Sequence, residues 1–162
     1  MSERPARPDD AVRPQSGVVG LSHVAIAVQA ADPLADLLVA ALGARRGEEE
    51  LLDQGALRVV FVHLGPVTLE LLEPRGGEHT VARFVATRGQ GLHHVSFDVR
   101  DLVGHLAQAK AAGIRLIDET PRQGAGGTKV AFLHPSSLGG VLVELCETPP
   151  AGSPAEPGQE SR

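Results

Sequence analysis

Two histidines and two glutamates stand where side chains of their kind can do chemistry. His23 lies in Gly20-Leu21-Ser22-His23-Val24-Ala25-Ile26-Ala27-Val28, and His94 in Gly91-Leu92-His93-His94-Val95-Ser96-Phe97-Asp98-Val99, two stretches of one design. In each, apolar residues alternate with small or polar ones, the period of a strand with one face in a core. Val24, Ile26 and Val28 share a face opposite His23, Ala25 and Ala27; Val95, Phe97 and Val99 share one opposite His94, Ser96 and Asp98. Each imidazole therefore projects beside small side chains that leave room around it, as in a cavity wall. One such histidine alone reads as an ordinary hydrogen-bonded residue. The same residue at the same place in two matching strands reads as a pair with a shared task.

Two carboxylates repeat the pattern. Glu70 sits in Val67-Thr68-Leu69-Glu70-Leu71-Leu72 and Glu144 in Gly140-Val141-Leu142-Val143-Glu144-Leu145-Cys146, each inside an otherwise apolar strand. An isolated ionised carboxylate in such a run is costly, so it must take up a proton or find a cation. Imidazole and carboxylate together suit a first-row divalent ion such as cobalt, zinc, manganese, nickel or iron, not the all-oxygen cage of calcium. The alternative is that both glutamates alternate onto a solvated sheet face, which is ordinary for an antiparallel sheet.

The elements that must position these groups run in the same order twice. After the first strand, Asp32-Pro33 reads as an N-cap with Pro at the first helical position, and Leu34, Leu37, Leu38, Ala41 and Leu42 recur at helical spacing until Gly43. A polar segment, 45 to 55, leads to strands over Leu57 to Leu64 and Val67 to Glu73, split by Gly65-Pro66. Val81, Phe84 and Val85 predict a linking helix over 78–88. Then the order restarts: the His94 strand, a helix capped by Asp101 with Leu102, Leu106 and Ala109 on one side, and strands over Ile114 to Ile117, Lys129 to His134 and Val141 to Glu147. His23 and His94 fall at matching positions of a repeat about 71 residues long.

A chain of 162 residues is long enough for one well-buried core. We expect one unit over 17–148, with modules about 19–75 and 90–147. Residues 1–16 and 149–162 are rich in Pro, Ser and charge and are expected to be disordered tails. A net charge of -5 and the absence of Trp and Tyr argue against a nucleic-acid partner. No apolar run approaches the roughly 18 to 20 residues of a spanning helix, and the N-terminus lacks the apolar core of a signal peptide, so no membrane partner and a cytoplasmic location are expected. One cysteine, Cys146, allows no internal disulfide and no thiolate cluster.

The stretches SHVAIAV, LELLEP, GLHHVSFDV, GIRLIDETPRQGAGG and FLHPSSLGGVLVELCE, which span nearly everything from 19 to 147, resemble the methylmalonyl-CoA epimerase family of the vicinal oxygen chelate superfamily. The resemblance implies an α+β fold of two paired βαβββ modules forming a curved mixed sheet around a metal site. It implies His23, His94 and Glu144 as metal ligands, with Glu70 where many members have Gln, and cobalt as the ion. It also implies a homodimer acting on an acyl-CoA substrate. The implied reaction interconverts (R)- and (S)-methylmalonyl-CoA by proton transfer through a metal-stabilised enolate, with Glu144 also acting as acid/base on one face. The acid usual for the other face follows a Glu-Gln-Gly motif. Here that region reads Asp53-Gln54-Gly55-Ala56-Leu57-Arg58-Val59, with Arg58 or Val59 at its place and Asp53, Glu50 or a water as substitutes. Rival readings are a glyoxalase-type lyase, an Fe(II) extradiol dioxygenase using the same triad, and a non-catalytic small-molecule-binding protein of the same fold.

Overall fold

The computed structural model describes residues 17–148; the two expected tails, 1–16 and 149–162, lie outside the described residues. Strand β1 (Val18–Ala27) leads through helix α1 (Ala31–Leu42) to β2 (Arg45–Leu52), β3 (Leu57–Leu64) and β4 (Val67–Pro74). Helix α2 (Thr80–Arg88) links this set to the next. That second set runs β5 (Gly91–Val99), α3 (Leu102–Ala111), β6 (Arg122–Gln123), β7 (Lys129–Leu133) and β8 (Val143–Glu147).

The strands form one eight-stranded mixed sheet in the order β2-β3-β4-β1-β5-β8-β7-β6. Read outward from the centre, the two modules repeat one another. The first strand of each pairs in parallel with the last strand of its own module, and the remaining two continue antiparallel to the edge. The two histidine strands, β1 and β5, pair antiparallel at the middle. This is the expected α+β arrangement of two βαβββ modules, curled into a half-barrel.

Strand alternation sorts the side chains into layers. One parity packs under the helices: Val28, Val60, Val62 and Leu71 with Ala31 and Ala35 of α1, and Val99, Ala131, Leu133 and Leu145 with Leu102 and Leu106 of α3. The other parity faces the concave side, where Ala25, Ala27, Leu57, Val59 and Leu72 meet Val81 of α2. Curling also brings the far edges together, and the Gly126 amide in the loop after β6 donates to Glu50 of β2 at 2.9 Å.

Three local expectations are corrected. Asp32 is not the N-cap: α1 begins at Ala31, and the free amide of Ala31 donates to Glu73 Oε2 of β4 at 2.8 Å. A carboxylate brought in by the sheet does what the local side chain was expected to do. The polar segment 45 to 55, not expected to form a strand, contains strand β2; it is an edge strand, so its charged side chains point to water and erase the alternation. The segment Ile114 to Ile117 makes only one isolated bridge, Leu116 to Leu133, and no strand. The two-residue β6, too short for any periodic signal, takes the edge instead. Helix α3 is capped by Asp101 as expected, whose Oδ1 accepts from Gly104 at 2.8 Å, and Glu147 accepts from Leu102 at 2.7 Å as Glu73 does in the first module.

Candidate metal centre

Strand register brings the four polar residues to one place. Glu70 lies opposite Ala25 in the β4–β1 pair, Glu144 lies opposite Ser96 in the β8–β5 pair, and β1 sets His23 opposite Ser96 and Ala25 opposite His94. All four side chains take the concave parity of adjacent central strands. They are almost fully buried, with 7% exposure for His23 and Glu70 and 5% for His94 and Glu144.

His23, His94 and Glu144 each offer a ligand atom, and these three atoms lie within 4.8 Å of one another. His23 Nε2 is 3.2 Å from His94 Nε2 and 3.3 Å from Glu144 Oε1, and His94 Nε2 is 3.7 Å from Glu144 Oε2. Glu70 approaches from the other edge of the same ring, its Oε1 being 3.4 Å from His23 Nδ1. The four expected residues are therefore neighbours, three around one point and Glu70 beside them.

The electrostatics suit a cation. Burial pushes Glu70 up to about 8, reinforced by the nearby charge of Glu144. Burial likewise pushes Glu144 up to about 7, opposed by the hydrogen bond from Ser96. Burial holds His23 down to about 4 and, with the neighbouring imidazoles, His94 down to about 2. Without a cation the carboxylates thus favour protonation and the imidazoles stay neutral. Neutral imidazole is the form that donates a lone pair to a metal, and a divalent ion restores ionised carboxylates in a site where they are otherwise costly. The donor set fits a first-row divalent ion.

Three side chains that the sequence did not mark as functional hold these groups. Ser96, with no exposed surface, donates from Oγ to Glu144 Oε1 at 2.8 Å. Ser22 Oγ lies 3.3 Å from His23 Nδ1, and His93 Nδ1 lies 2.9 Å from His94 Nδ1. The identity of the residue just before each histidine was the only available signal.

Two cavities reach the centre. One of about 650 Å³ is lined by Glu70, His94 and Glu144 and by Leu57, Val59, Asp53, His79, Arg122 and Phe132 among others. A second, of about 640 Å³, lies between α2 and β5, reaches His93 and His94, and carries Arg83 and Arg88. Neither residue at the place of the usual second acid is an acid. Val59 lines the first cavity, whereas the Arg58 guanidinium faces away and pairs with Asp32, Glu49 and Glu73 at 3.0, 2.6 and 3.2 Å. The substitutes already have partners: Asp53 meets His79 Nε2 at 2.8 Å in the wall of the first cavity, and Glu50 accepts from Gly126. The other histidines hold local structure, with His79 and His134 accepting backbone amides at helical turns and His63 close to Thr68.

The sequence profile of the Glyoxalase/Bleomycin resistance protein/Dioxygenase superfamily matches residues 22–132. The mitochondrial methylmalonyl-CoA epimerase of Bos taurus is 40% identical over 126 residues, covering 77% of this chain and 72% of that protein. The crystal structure of methylmalonyl-CoA epimerase from Mycobacterium tuberculosis is similar at a TM-score of 0.79 and 30% identity, covering 88% of this chain and 96% of the other. A variant of Streptomyces coelicolor methylmalonyl-CoA epimerase in complex with 2-nitronate-propionyl-CoA matches at a TM-score of 0.76 and 28% identity, over 82% of this chain and 99% of the other.

Proposed function

This chain belongs to the Glyoxalase/Bleomycin resistance protein/Dioxygenase superfamily, and from that premise we propose that it is a metal-dependent epimerase interconverting (R)- and (S)-methylmalonyl-CoA. The observation that carries this reading is the convergence of His23, His94 and Glu144 within 4.8 Å in a buried concave site, in a chain whose similarity to methylmalonyl-CoA epimerases runs over most of its length. His23, His94 and Glu144 hold the ion, with Glu70 as the fourth donor. Cobalt is the ion that the resemblance favours, and zinc, manganese, nickel or iron suit the same donors. The protein works as a homodimer in the cytoplasm, to be tested by sedimentation and fractionation.

Epimerisation removes the proton on the carbon between a thioester and a carboxylate and returns one to the opposite face, and its barrier is the negative charge left behind. A divalent ion bound here would supply Lewis acidity toward the thioester and carboxylate oxygens, a contribution of several kcal/mol. The chain supplies the rest. Ser96 holds Glu144 by Oε1, and the Glu144 side chain lines the cavity in which it would transfer the proton. A positioned carboxylate of this kind contributes about 10²- to 10⁴-fold. Leu57, Val59, Leu72 and Phe132 keep the surrounding wall apolar, which excludes water and strengthens the electrostatic terms inside. Arg83 and Arg88 offer positive charge to the phosphates of an acyl-CoA whose thioester reaches the centre past His93.

The test is deuterium uptake at the α-carbon of methylmalonyl-CoA in heavy water, followed by mass spectrometry. Protein stripped by a chelator should lose exchange and regain it with one of the five ions. Absence of exchange with every ion, or full exchange after complete stripping, would refute the reading.

A further inference from the structure

The two histidine strands are irregular at matching places. In the β1–β5 pair Leu21 faces Phe97 and His23 faces Ser96, so Ser22 is an extra residue on β1; Ala25 faces His94 and Ile26 faces Leu92, so His93 is an extra residue on β5. These two bulges each fall one position before a histidine of the centre, whereas a third, at Val19, lies at the outer end of β1. A bulge takes its extra residue out of the alternation and re-aims its side chain. Strict alternation would send His93 to the helix-covered face with Val95 and Phe97. Instead its ring packs against that of His94, centroids 5.2 Å apart at 75°, and against Phe84, centroids 5.0 Å apart at 64°.

Two ring nitrogens at 2.9 Å require one N–H and one lone pair. His94 directs Nε2 to the centre, toward His23 and Glu144. For Nε2 to offer its lone pair to an ion, the proton of His94 must sit on Nδ1 and be donated to His93 Nδ1, which leaves the His93 proton on Nε2. In the other module the Ser22 hydroxyl stands in the same relation to His23 Nδ1 at 3.3 Å, with Glu70 also facing that nitrogen.

Resting on the metal-centre reading above, we propose that the bulged residues Ser22 and His93 are a duplicated pair of positioning residues, each accepting the Nδ1 proton of the following histidine so that Nε2 is free for the ion. His93 is the stronger member, since its nitrogen is closer and Phe84 fixes its ring. Outer partners of this kind are worth about 10- to 100-fold in metal affinity.

The experiment compares wild type, His93→Asn, His93→Leu and Ser22→Ala by cobalt and zinc titration against a chromophoric chelator, and by nitrogen-correlated NMR of the zinc-loaded proteins. Asparagine keeps an acceptor near the position of Nδ1; leucine fills the space without one. We expect His93→Leu to bind the ion 10- to 100-fold more weakly and to lose the slowly exchanging Nδ1 proton of His94, and His93→Asn to restore both to within a few-fold of wild type. Ser22→Ala should weaken binding less. Equal affinity in His93→Leu and His93→Asn, or coordination of zinc through His94 Nδ1, overturns this inference alone. Wild-type protein that binds neither ion overturns the metal centre itself and the epimerase reading with it.

Discussion

Ser96 stands in the second module where Ala25 stands in the first. Both are two residues after a histidine of the centre, both have no exposed surface, and each faces a buried glutamate across a parallel strand pair, Ser96 opposite Glu144 and Ala25 opposite Glu70. Only Ser96 can donate a hydrogen bond, and it does, at 2.8 Å. The duplicated frame therefore holds two unequal carboxylates, one anchored and one not, with Glu70 pushed further up than Glu144.

Ser96→Ala should make the two alike. A hydrogen bond to a charged acceptor is worth about 1.5–3 kcal/mol, so cobalt affinity is expected to fall roughly 10- to 100-fold while the fold is kept. Titration against a competing chelator measures it. Unchanged affinity would mean that the Ser96 bond does not hold Glu144 for the ion.

Glu144→Gln keeps the shape of the side chain and removes its ability to carry the α-proton. We expect turnover of methylmalonyl-CoA to drop by about 10² to 10⁴, the span of a positioned acid/base. A variant within threefold of wild type at saturating substrate and ion would take the proton-transfer role away from Glu144.

Metal removal should be visible in stability. An ion at 100 times its dissociation constant stabilises by about 2.7 kcal/mol, which for a chain of this size raises the melting temperature by roughly 5–10 °C. Calorimetry of stripped protein with and without added cobalt checks this. His94→Ala should melt at the same temperature in both conditions.

Arg83→Ala combined with Arg88→Ala should raise KM for methylmalonyl-CoA about tenfold or more, since contacts to charged phosphates are worth about 1.5–3 kcal/mol each. The KM for the methylmalonyl thioester of N-acetylcysteamine, which has no phosphate, should stay the same. Parallel steady-state assays on both thioesters decide it; equal changes on the two would remove these arginines from nucleotide binding.

Acid stability should depend on Asp32. Hydrogen bonds from Arg58 and Arg46 hold its carboxyl down to about 2, against an ordinary value of 3.8. A carboxylate with a depressed folded value contributes stability that is present above the unfolded value and lost as pH falls through the folded one. Melting temperature in wild type should therefore fall between pH 4 and pH 2 by more than in Asp32→Asn, whose side chain does not titrate. Coincident curves over that window would contradict the ion network.

What the sequence determined by itself is what a local period can encode. Alternation at His23 and His94 is written in neighbouring residues, and so the four buried polar groups, the two modules and α3 with its Asp101 cap could all be read before any coordinates. Edge strand β2 could not, because its charged residues face water and carry no period. Nor could the start of α1, where Glu73 arrives from a strand 42 residues away to take the amide of Ala31. The tertiary structure alone decided which atom meets which. Register, curl and the bulges at Ser22 and His93 set Nε2 of His23 and His94 toward a common point, turned His93 onto His94, put Val59 into the cavity wall, and turned Arg58 away from it onto Asp32, Glu49 and Glu73. A bulge changes the direction of a side chain without changing the letters around it, and that is why the four buried polar residues were legible and the side chains against them were not.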